Sequence, residues 1–166
     1  DDVINAGIDA FSDYVGDDPN LPNALLLDPT TGLPVLSDPN TDDGKDTVYG
    51  GTGNDLIFTG DDADVIFGEA DNDTINAGID DDFVDGGTGD DSIIGGHGSD
   101  TILGQDGNDW INAGGSTLLF GQAPDATDPL PQNDRDFVDA GAGNDTIFGE
   151  DDDDTLFGGS GDDVID

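Results

Sequence analysis

The stretch GGTGNDLIF, residues 50–58, returns along the chain as GGTGDDSII at 86–94, GGHGSDTIL at 95–103, AGAGNDTIF at 140–148 and GGSGDDVID at 158–166. Nonapeptides in this register run without a break from 41 to 112 and again from 131 to 166, twelve copies in all. A repeat of fixed period predicts a solenoid, in which each unit buries its apolar side against its neighbours.

Two positions of the nonapeptide keep the same chemistry in every copy. The sixth residue is always aspartate: Asp46, Asp55, Asp64, Asp73, Asp82, Asp91, Asp100, Asp109, Asp136, Asp145, Asp154 and Asp163. The eighth is always aliphatic: Val48, Ile57, Ile66, Ile75, Val84, Ile93, Ile102, Ile111, Val138, Ile147, Leu156 and Ile165. The eighth position therefore predicts the core of the stack, and the sixth predicts a repeated acidic site.

The charge balance of the chain is extreme. Its 166 residues include 41 acidic and 2 basic residues, which gives a formal net charge of −39, and 33% of the residues are hydrophobic. Chains of this composition tend to be disordered and repel themselves when compact, so folding requires a bound cation. The sign of the charge excludes nucleic acid and simple attachment to anionic lipid. The lack of cysteine excludes disulfides and zinc thiolate sites.

Each repeat divides into a turn and a strand. Val, Ile, Phe and Thr crowd positions seven to nine, and these residues favour strands. Glycine and asparagine fill the earlier positions and supply the positive φ of tight turns. We predict a turn at positions one to five and a strand at positions six to nine. Such a unit alternates direction, so two repeats form one coil and repeat n stacks on repeat n+2, about 4.8 Å away.

The predicted fold class is therefore all-β, a solenoid with two repeats per coil in which the sixth-position aspartates lie over one another along two edges. Carboxylates at this spacing repel one another unless cations lie between them. Carboxylate and turn carbonyl oxygens, in loops without cysteine, suit Ca²⁺ and not a transition metal. The sequence thus predicts multiple calcium ions along both edges.

The nonapeptides resemble those of the RTX (repeats-in-toxin, haemolysin-type calcium-binding) family, whose pattern is GGxGxDxUx with U aliphatic. The resemblance implies a parallel β-roll with about eight or more calcium ions, each held by the aspartates of two stacked turns and by carbonyls of the glycine-rich loops. The implied pairs are Asp46 with Asp64, Asp64 with Asp82, Asp82 with Asp100, Asp136 with Asp154, Asp55 with Asp73, Asp73 with Asp91, Asp91 with Asp109, and Asp145 with Asp163. The implied carbonyl residues at positions two and four are Gly51, Gly53, Gly60, Asp62, Asp71, Gly78, Asp80, Gly87, Gly89, Gly96, Gly98, Gly107, Gly141, Gly143, Gly159 and Gly161.

The two edges depart unequally from this pattern at position four. One edge has glycine there in every turn except at Asp71, whereas the other has Asp62, Asp80, Asp134 and Asp152. On that second edge Gln132 and Glu150 also replace glycine at position two. Aspartate adopts left-handed geometry more readily than most residues, so we expect the turns to form. The calcium sites of that edge are then either less complete or bound with extra carboxylate help.

Proline divides the chain, because it cannot donate to a strand ladder. We predict partial repeats at 1–16, a Pro- and Leu-rich insertion at 17–40, a first roll block at 41–112, a metal-free coil and loop insertion at 113–130, and a second block at 131–166. The leucines of 17–40 either cap an open end of the roll or bind a partner. Between the blocks, Leu119 and Phe120 are predicted to continue the stack as a metal-free strand that interrupts the calcium columns.

Few other residues suggest chemistry. The single histidine, His97, lies in a turn and favours a solvated residue over a ligand. Trp110 points outward and is more typical of packing or an interface. Aromatic residues at position nine predict short outer ladders, which favour contact with a neighbouring domain or a capping loop over sugar or ice binding. No group of nucleophile, base and oxyanion site is indicated, so we do not expect an enzyme.

The sequence predicts a structural calcium-binding segment of a larger secreted or cell-surface bacterial protein. The resemblance implies export through a type I channel and folding outside the cell on calcium. An accessory module of a secreted protease, lipase or polysaccharide-modifying enzyme remains an alternative, as does an adhesin or surface-layer repeat. No apolar run approaches the roughly 18 residues of a membrane span, and the chain opens and closes within a repeat, as a piece of a longer protein does.

Overall fold

A computed structural model describes residues 3–5, 45–60, 62–114, 135–150 and 153–166. These residues form strands and turns, and none of them forms a helix that could cross a membrane. The strands are β1 (Val3–Asn5), β2 (Thr47–Thr52), β3 (Leu56–Gly60), β4 (Val65–Ala70), β5 (Thr74–Ile79), β6 (Phe83–Thr88), β7 (Ser92–His97), β8 (Thr101–Asp106), β9 (Trp110–Asn112), β10 (Phe137–Asp139), β11 (Thr146–Phe148), β12 (Thr155–Phe157) and β13 (Val164–Ile165).

The strands form two parallel sheets. The odd sheet has the order β1-β3-β5-β7-β9-β11-β13, and the even sheet has the order β2-β4-β6-β8-β10-β12. Consecutive strands alternate between the sheets, and within a sheet the eighth position of one repeat pairs with that of the repeat two further on, as Ile57 pairs with Ile75. This confirms the predicted parallel β-roll with two repeats per coil. We call the edge whose turns lead into odd-numbered strands the odd edge, and the opposite edge the even edge.

The strand boundaries differ from the prediction at both ends. Strands begin at position seven, not six, because the amide of the sixth-position aspartate donates to a side chain instead of a strand carbonyl, as Asp73 does to Asp91. Six strands, β2 and β4 to β8, continue to position three of the next repeat. Glycine at position two has a positive φ but does not end the strand pairing, because the neighbouring strand bends at the same position. Gly60 and Gly78, for example, both have positive φ and pair with each other. The true turn is therefore positions four to six.

The core is the predicted column of eighth-position residues. Ten of these aliphatic side chains, from Val48 to Ile147, are at most 6% exposed, and Ala77, Ala113 and Ala140 at position one pack among them. Side chains at positions seven and nine face outward, since residues alternate along a strand. Two eighth-position residues differ: Leu156 is half-buried, and Ile165 is 48% exposed.

This gradient predicts unequal costs for removing core side chains. Ile93→Ala is expected to lower the free energy of unfolding by about 3 kcal/mol, because Ile93 is fully buried and its loss leaves a cavity. Ile165→Ala, the matched control, is expected to cost under about 1 kcal/mol. Urea unfolding of both variants in saturating calcium measures the difference. Equal losses would contradict the assignment of the eighth position to a graded core.

The predicted interruption between the two blocks is wrong. Strand β8 pairs directly with β10, and β9 pairs directly with β11, so no strand lies between them. Residues 115–134, which include Leu119 and Phe120, lie outside the described residues. The length of this insertion matches one coil, but nothing requires a segment of that length to enter the stack. Direct pairing continues the isoleucine column without a metal-free level, which is the better solution for the core.

The first insertion follows the same plan. Strand β1 pairs with β3, with Ile4 opposite Ile57, and β2 pairs with β4 in the other sheet. Residues 6–44 lie outside the described residues, so capping by 17–40 stays a prediction. Along the chain, each insertion therefore lies between an odd-numbered strand and the next even-numbered strand.

Candidate metal centre

The sixth-position aspartates form two continuous columns, one on each edge. In ten successive pairs, the backbone amide of one aspartate donates a hydrogen bond of 2.7 to 3.0 Å to Oδ1 of the aspartate in the next coil. All eight implied pairs are adjacent in this way. Two further pairs, Asp100 with Asp136 and Asp109 with Asp145, join the blocks across the second insertion. The columns are thus uninterrupted.

The second carboxylate oxygen in these columns is buried. Nine of the aspartates, from Asp55 to Asp145, are between 1% and 4% exposed. Among the residues that the structure describes, the Oδ2 atoms of Asp73, Asp82, Asp91, Asp109 and Asp145 have no hydrogen-bond partner. A buried, unpartnered carboxylate oxygen is energetically costly unless a cation binds it.

The electrostatics of the columns point the same way. Burial raises the pKa of Asp91 to about 7 and that of Asp109 to about 6, with the neighbouring aspartates adding to the shift. The pKa of Asp82 is raised to about 9, first by burial and then by the charges of Asp100, Asp64 and Asp80. An adjacent cation reverses both effects, because it favours the charged form of every carboxylate near it.

Position one makes room for these oxygens, and sequence reasoning did not assign it a role. A Cβ at Gly68 would lie 2.6 Å from Oδ2 of Asp73, and a Cβ at Gly86 would lie 2.6 Å from Oδ2 of Asp91. Glycine at position one therefore lets the carboxylate fold back against its own repeat. The signal was present in the first glycine of the GGxGxD pattern.

Positions two and four carry the left-handed backbone that the turns require. Positive φ is found at every described residue assigned there: Gly51, Gly53, Gly60, Asp62, Asp71, Gly78, Asp80, Gly87, Gly89, Gly96, Gly98, Gly107, Gly141, Gly143, Gly159 and Gly161. The expectation that aspartate tolerates this geometry is confirmed, with φ of 70° at Asp62 and 76° at Asp80. Glu69, Gln105 and Glu150 adopt it at position two as well.

The carbonyl groups at positions two and four point along the stack. A Cβ at Gly96 would overlap the carbonyl oxygen of Gly78, and a Cβ at Gly107 would overlap that of Gly89. Glycine is needed at such positions for close approach as well as for φ. The carbonyl oxygens thus line the same edges as the aspartate columns.

A second ladder at position five was also missed by sequence reasoning. On the odd edge each amide donates to the side-chain oxygen one coil earlier, as Asp90 does to Asn72 at 3.0 Å and Asn108 does to Asp90 at 2.8 Å. Its direction is opposite to that of the sixth-position ladder. The members are Asn54, Asn72, Asp90, Asn108, Asn144 and Asp162. Asn or Asp at position five of every odd-edge repeat was the available signal.

This arrangement fits calcium. Within the described residues no three carboxylate or imidazole side chains converge on one point, so an ion held by the aspartates must complete its coordination with backbone carbonyls. Ca²⁺ accepts such mixed, flexible sets of oxygens, whereas zinc and copper prefer nitrogen and sulfur ligands. The residues that would hold the ion are the sixth-position aspartates and the position two and four carbonyls.

The remaining candidates lie apart from these columns. His97 ends β7 half-buried in the described structure, and Trp110 is 37% exposed with its ring 5.9 Å from that of Phe148. On the outer face of the even sheet, Tyr49 stacks on Phe67 at 5.1 Å, and Phe67 lies 5.9 Å from Phe83. The predicted outer ladders are thus present, although position seven contributes to them as well as position nine.

Comparison with protein families gives one match. The model of the RTX calcium-binding nonapeptide repeat, which comprises four copies of the repeat, matches residues 40–75, 76–111 and 132–165. These residues include all twelve sixth-position aspartates and leave out residues 17–39 and 113–130 of the two insertions. Neither the curated proteins nor the solved structures give a match.

Proposed function

Because this chain belongs to the RTX calcium-binding nonapeptide repeat family, we propose that it is a calcium-dependent structural segment of a larger secreted or cell-surface bacterial protein. The observation that carries the proposal is the buried Oδ2 atom left without a hydrogen-bond partner at Asp73, Asp82, Asp91, Asp109 and Asp145. When bound, calcium supplies the positive charge that these columns need.

The same chemistry suits a switch between two compartments. Extracellular calcium modules bind with dissociation constants of about 10⁻⁴ to 10⁻³ M, so they are empty in a calcium-poor cytosol and loaded outside the cell. Binding that occurs only in the folded state drives folding. We propose that the chain passes a type I secretion channel unfolded and folds after export.

We propose no catalytic activity for the segment itself. In the described part of the chain, the buried sixth-position carboxylates of the two edge columns alternate with backbone amides and not with a nucleophile or a base. An accessory role beside a secreted enzyme domain is compatible with this. The aromatic row of Tyr49, Phe67 and Phe83 favours an adhesin or surface-layer role instead, since such rows pack against neighbouring surfaces.

Direct calorimetric titration tests the proposed function. We expect calcium to bind at several sites per chain with dissociation constants of about 10⁻⁴ to 10⁻³ M, the range of the weakest class of protein calcium sites. Magnesium, the control, is expected to bind far more weakly, because it demands a rigid octahedral site and keeps its water. A chain that takes up no calcium at 10 mM, roughly ten times the upper dissociation constant, would disprove the proposal.

A further inference from the structure

The two edges of the roll differ at position four in a way that bears on calcium. On the odd edge this position is glycine at Gly53, Gly89 and Gly107, so each of those turns carries one acidic ligand candidate at position six. On the even edge it is Asp62 and Asp80 in two successive coils, so those turns carry two. Both aspartates hold the left-handed φ found at the glycines.

The side chains at position four are placed differently on the two edges. Asp62 is 1% exposed, and Oδ2 of Asp80 is buried without a hydrogen-bond partner. Asp71, the one odd-edge aspartate at this position, is exposed and accepts a hydrogen bond of 3.1 Å from the Gly53 amide. The same residue type in the same backbone geometry is thus buried or half-buried on one edge and exposed on the other.

A second observation marks the even-edge turn as a ligand site. Asp82 is 3% exposed, and its Oδ2 has no hydrogen-bond partner. Asp80 lies two residues earlier in the same turn, and its Oδ2 is buried as well. Two acidic groups therefore meet in one turn, and at least one buried oxygen of each lacks a hydrogen bond.

Neither feature is favourable by itself. Aspartate at positive φ is less stable than glycine there, and burying a second carboxylate beside the first costs more still. A divalent cation offsets both costs, because it attracts both carboxylates and is coordinated by their oxygen atoms. Affinity in calcium sites rises with the number of charged ligands.

From this geometry we infer that Asp62 and Asp80 each bind calcium together with the sixth-position aspartate of the same turn, so that the roll contains two classes of calcium site. These two even-edge turns, with carboxylates at positions four and six, bind more tightly than the turns with glycine at position four. As calcium rises, these two even-edge turns fill first. The inference rests on the proposed function and specifies the order in which its sites are occupied.

The test replaces the position-four aspartates by glycine. In the double variant Asp62→Gly, Asp80→Gly, the backbone geometry is kept and only the carboxylates are lost. Calorimetry is expected to show the tighter class of sites weakened by about tenfold, the usual scale for removing a group that supports a metal site. Asp71→Gly is the matched control, and it is expected to leave the calcium isotherm unchanged because that carboxylate is exposed.

Two further measurements make the result specific. Asp80→Asn keeps the shape and the left-handed preference but removes the charge, so it should weaken the tighter class as Asp80→Gly does. Trp110, the only tryptophan, directly follows Asp109 on the odd edge. Terbium can replace calcium, and its emission excited through Trp110 therefore reports binding at the odd edge. The midpoint of this terbium titration should be the same in the native chain and in the double variant.

The outcomes separate the inference from the proposed function. If the native chain binds no calcium, the proposed function itself fails. If the native chain binds calcium but the double variant gives the same isotherm, or Asp71→Gly weakens binding equally, the two-class inference is overturned while the function stands. A change in the Trp110-excited midpoint as large as the calorimetric one would also overturn it, because the edges would not be independent.

Discussion

In excess chelator the chain is expected to lose its β-sheet circular dichroism and to expand to the dimensions of a disordered polymer. Leaving an ionised carboxylate buried and unpaired costs several kcal/mol, and a whole domain is stable by only about 5 to 15 kcal/mol. Among the described residues, five sixth-position aspartates have a buried oxygen without a hydrogen-bond partner. Their combined cost exceeds the stability of the fold, so removing the cation removes the structure.

Far-ultraviolet circular dichroism and small-angle scattering during a calcium titration measure this transition. The β signal should appear and the radius of gyration should fall together at millimolar calcium. Sodium chloride at matched ionic strength is the control, because it screens the net charge of −39 without ligating the columns. A chain that stays folded in chelator, or that sodium chloride refolds equally well, would show that the columns need no bound calcium.

Two positions of the repeat were sufficient to predict the architecture. An aliphatic residue at every eighth position, such as Ile57 and Ile75, can be buried in every coil only if repeat n stacks on repeat n+2, and the strands pair in this register. Aspartate at every sixth position then has to form columns. At these positions the residue types that favour each strand and turn are also those that the stacked coils require. A single sequence therefore predicts the strands and their stacking.

The path of the chain between the blocks was not predictable on the same grounds. The second insertion has the length of one coil, and Phe120 falls on the core position of the register. The structure nevertheless pairs Val138 directly with Ile102. Length and register show only that the segment could form a coil. Which strands pair depends on the relative stability of the alternatives, and an unbroken aliphatic column with aspartates on its edges is more stable than a coil containing Leu118 and Pro129.

The side chains that organise the turns were only partly predictable. Glycine at position one, as in Gly68, matters because of the nearby Asp73 oxygen, a contact that no local rule of turn formation describes. The position-five ladder, in which Asp90 receives the amide of Asn108, depends on the stacking distance between coils. The ladder becomes visible only when residues 18 apart in sequence are neighbours in space, whereas the Gly68 contact lies within one repeat and depends on how its turn folds.

Asp91 occupies the middle of the odd-edge column and contacts the coils on both sides. Its Oδ1 accepts the amide of Asp73, its own amide donates to Asp109, and it is 2% exposed. Asp163 is half-buried, and the described structure shows its carboxylate accepting a hydrogen bond from the amide of Asp145. The two residues have the same position in the repeat, but they differ in burial and in how many coils they join.

Asp91→Ala is therefore expected to lower the free energy of unfolding by about 3 to 5 kcal/mol, the usual cost of removing one member of a buried charge cluster. Asp163→Ala should cost about 1 kcal/mol, the scale of one hydrogen bond. The calcium midpoint measured by circular dichroism should rise much further for Asp91→Ala. Asp90→Asn, in the same turn but exposed, controls for the loss of a charge alone, because asparagine keeps the oxygen that accepts the amide of Asn108. The columns require a larger effect at Asp91, which contacts two neighbouring coils, than at Asp163. Equal calcium midpoints for Asp91→Ala and Asp163→Ala would therefore contradict the columns.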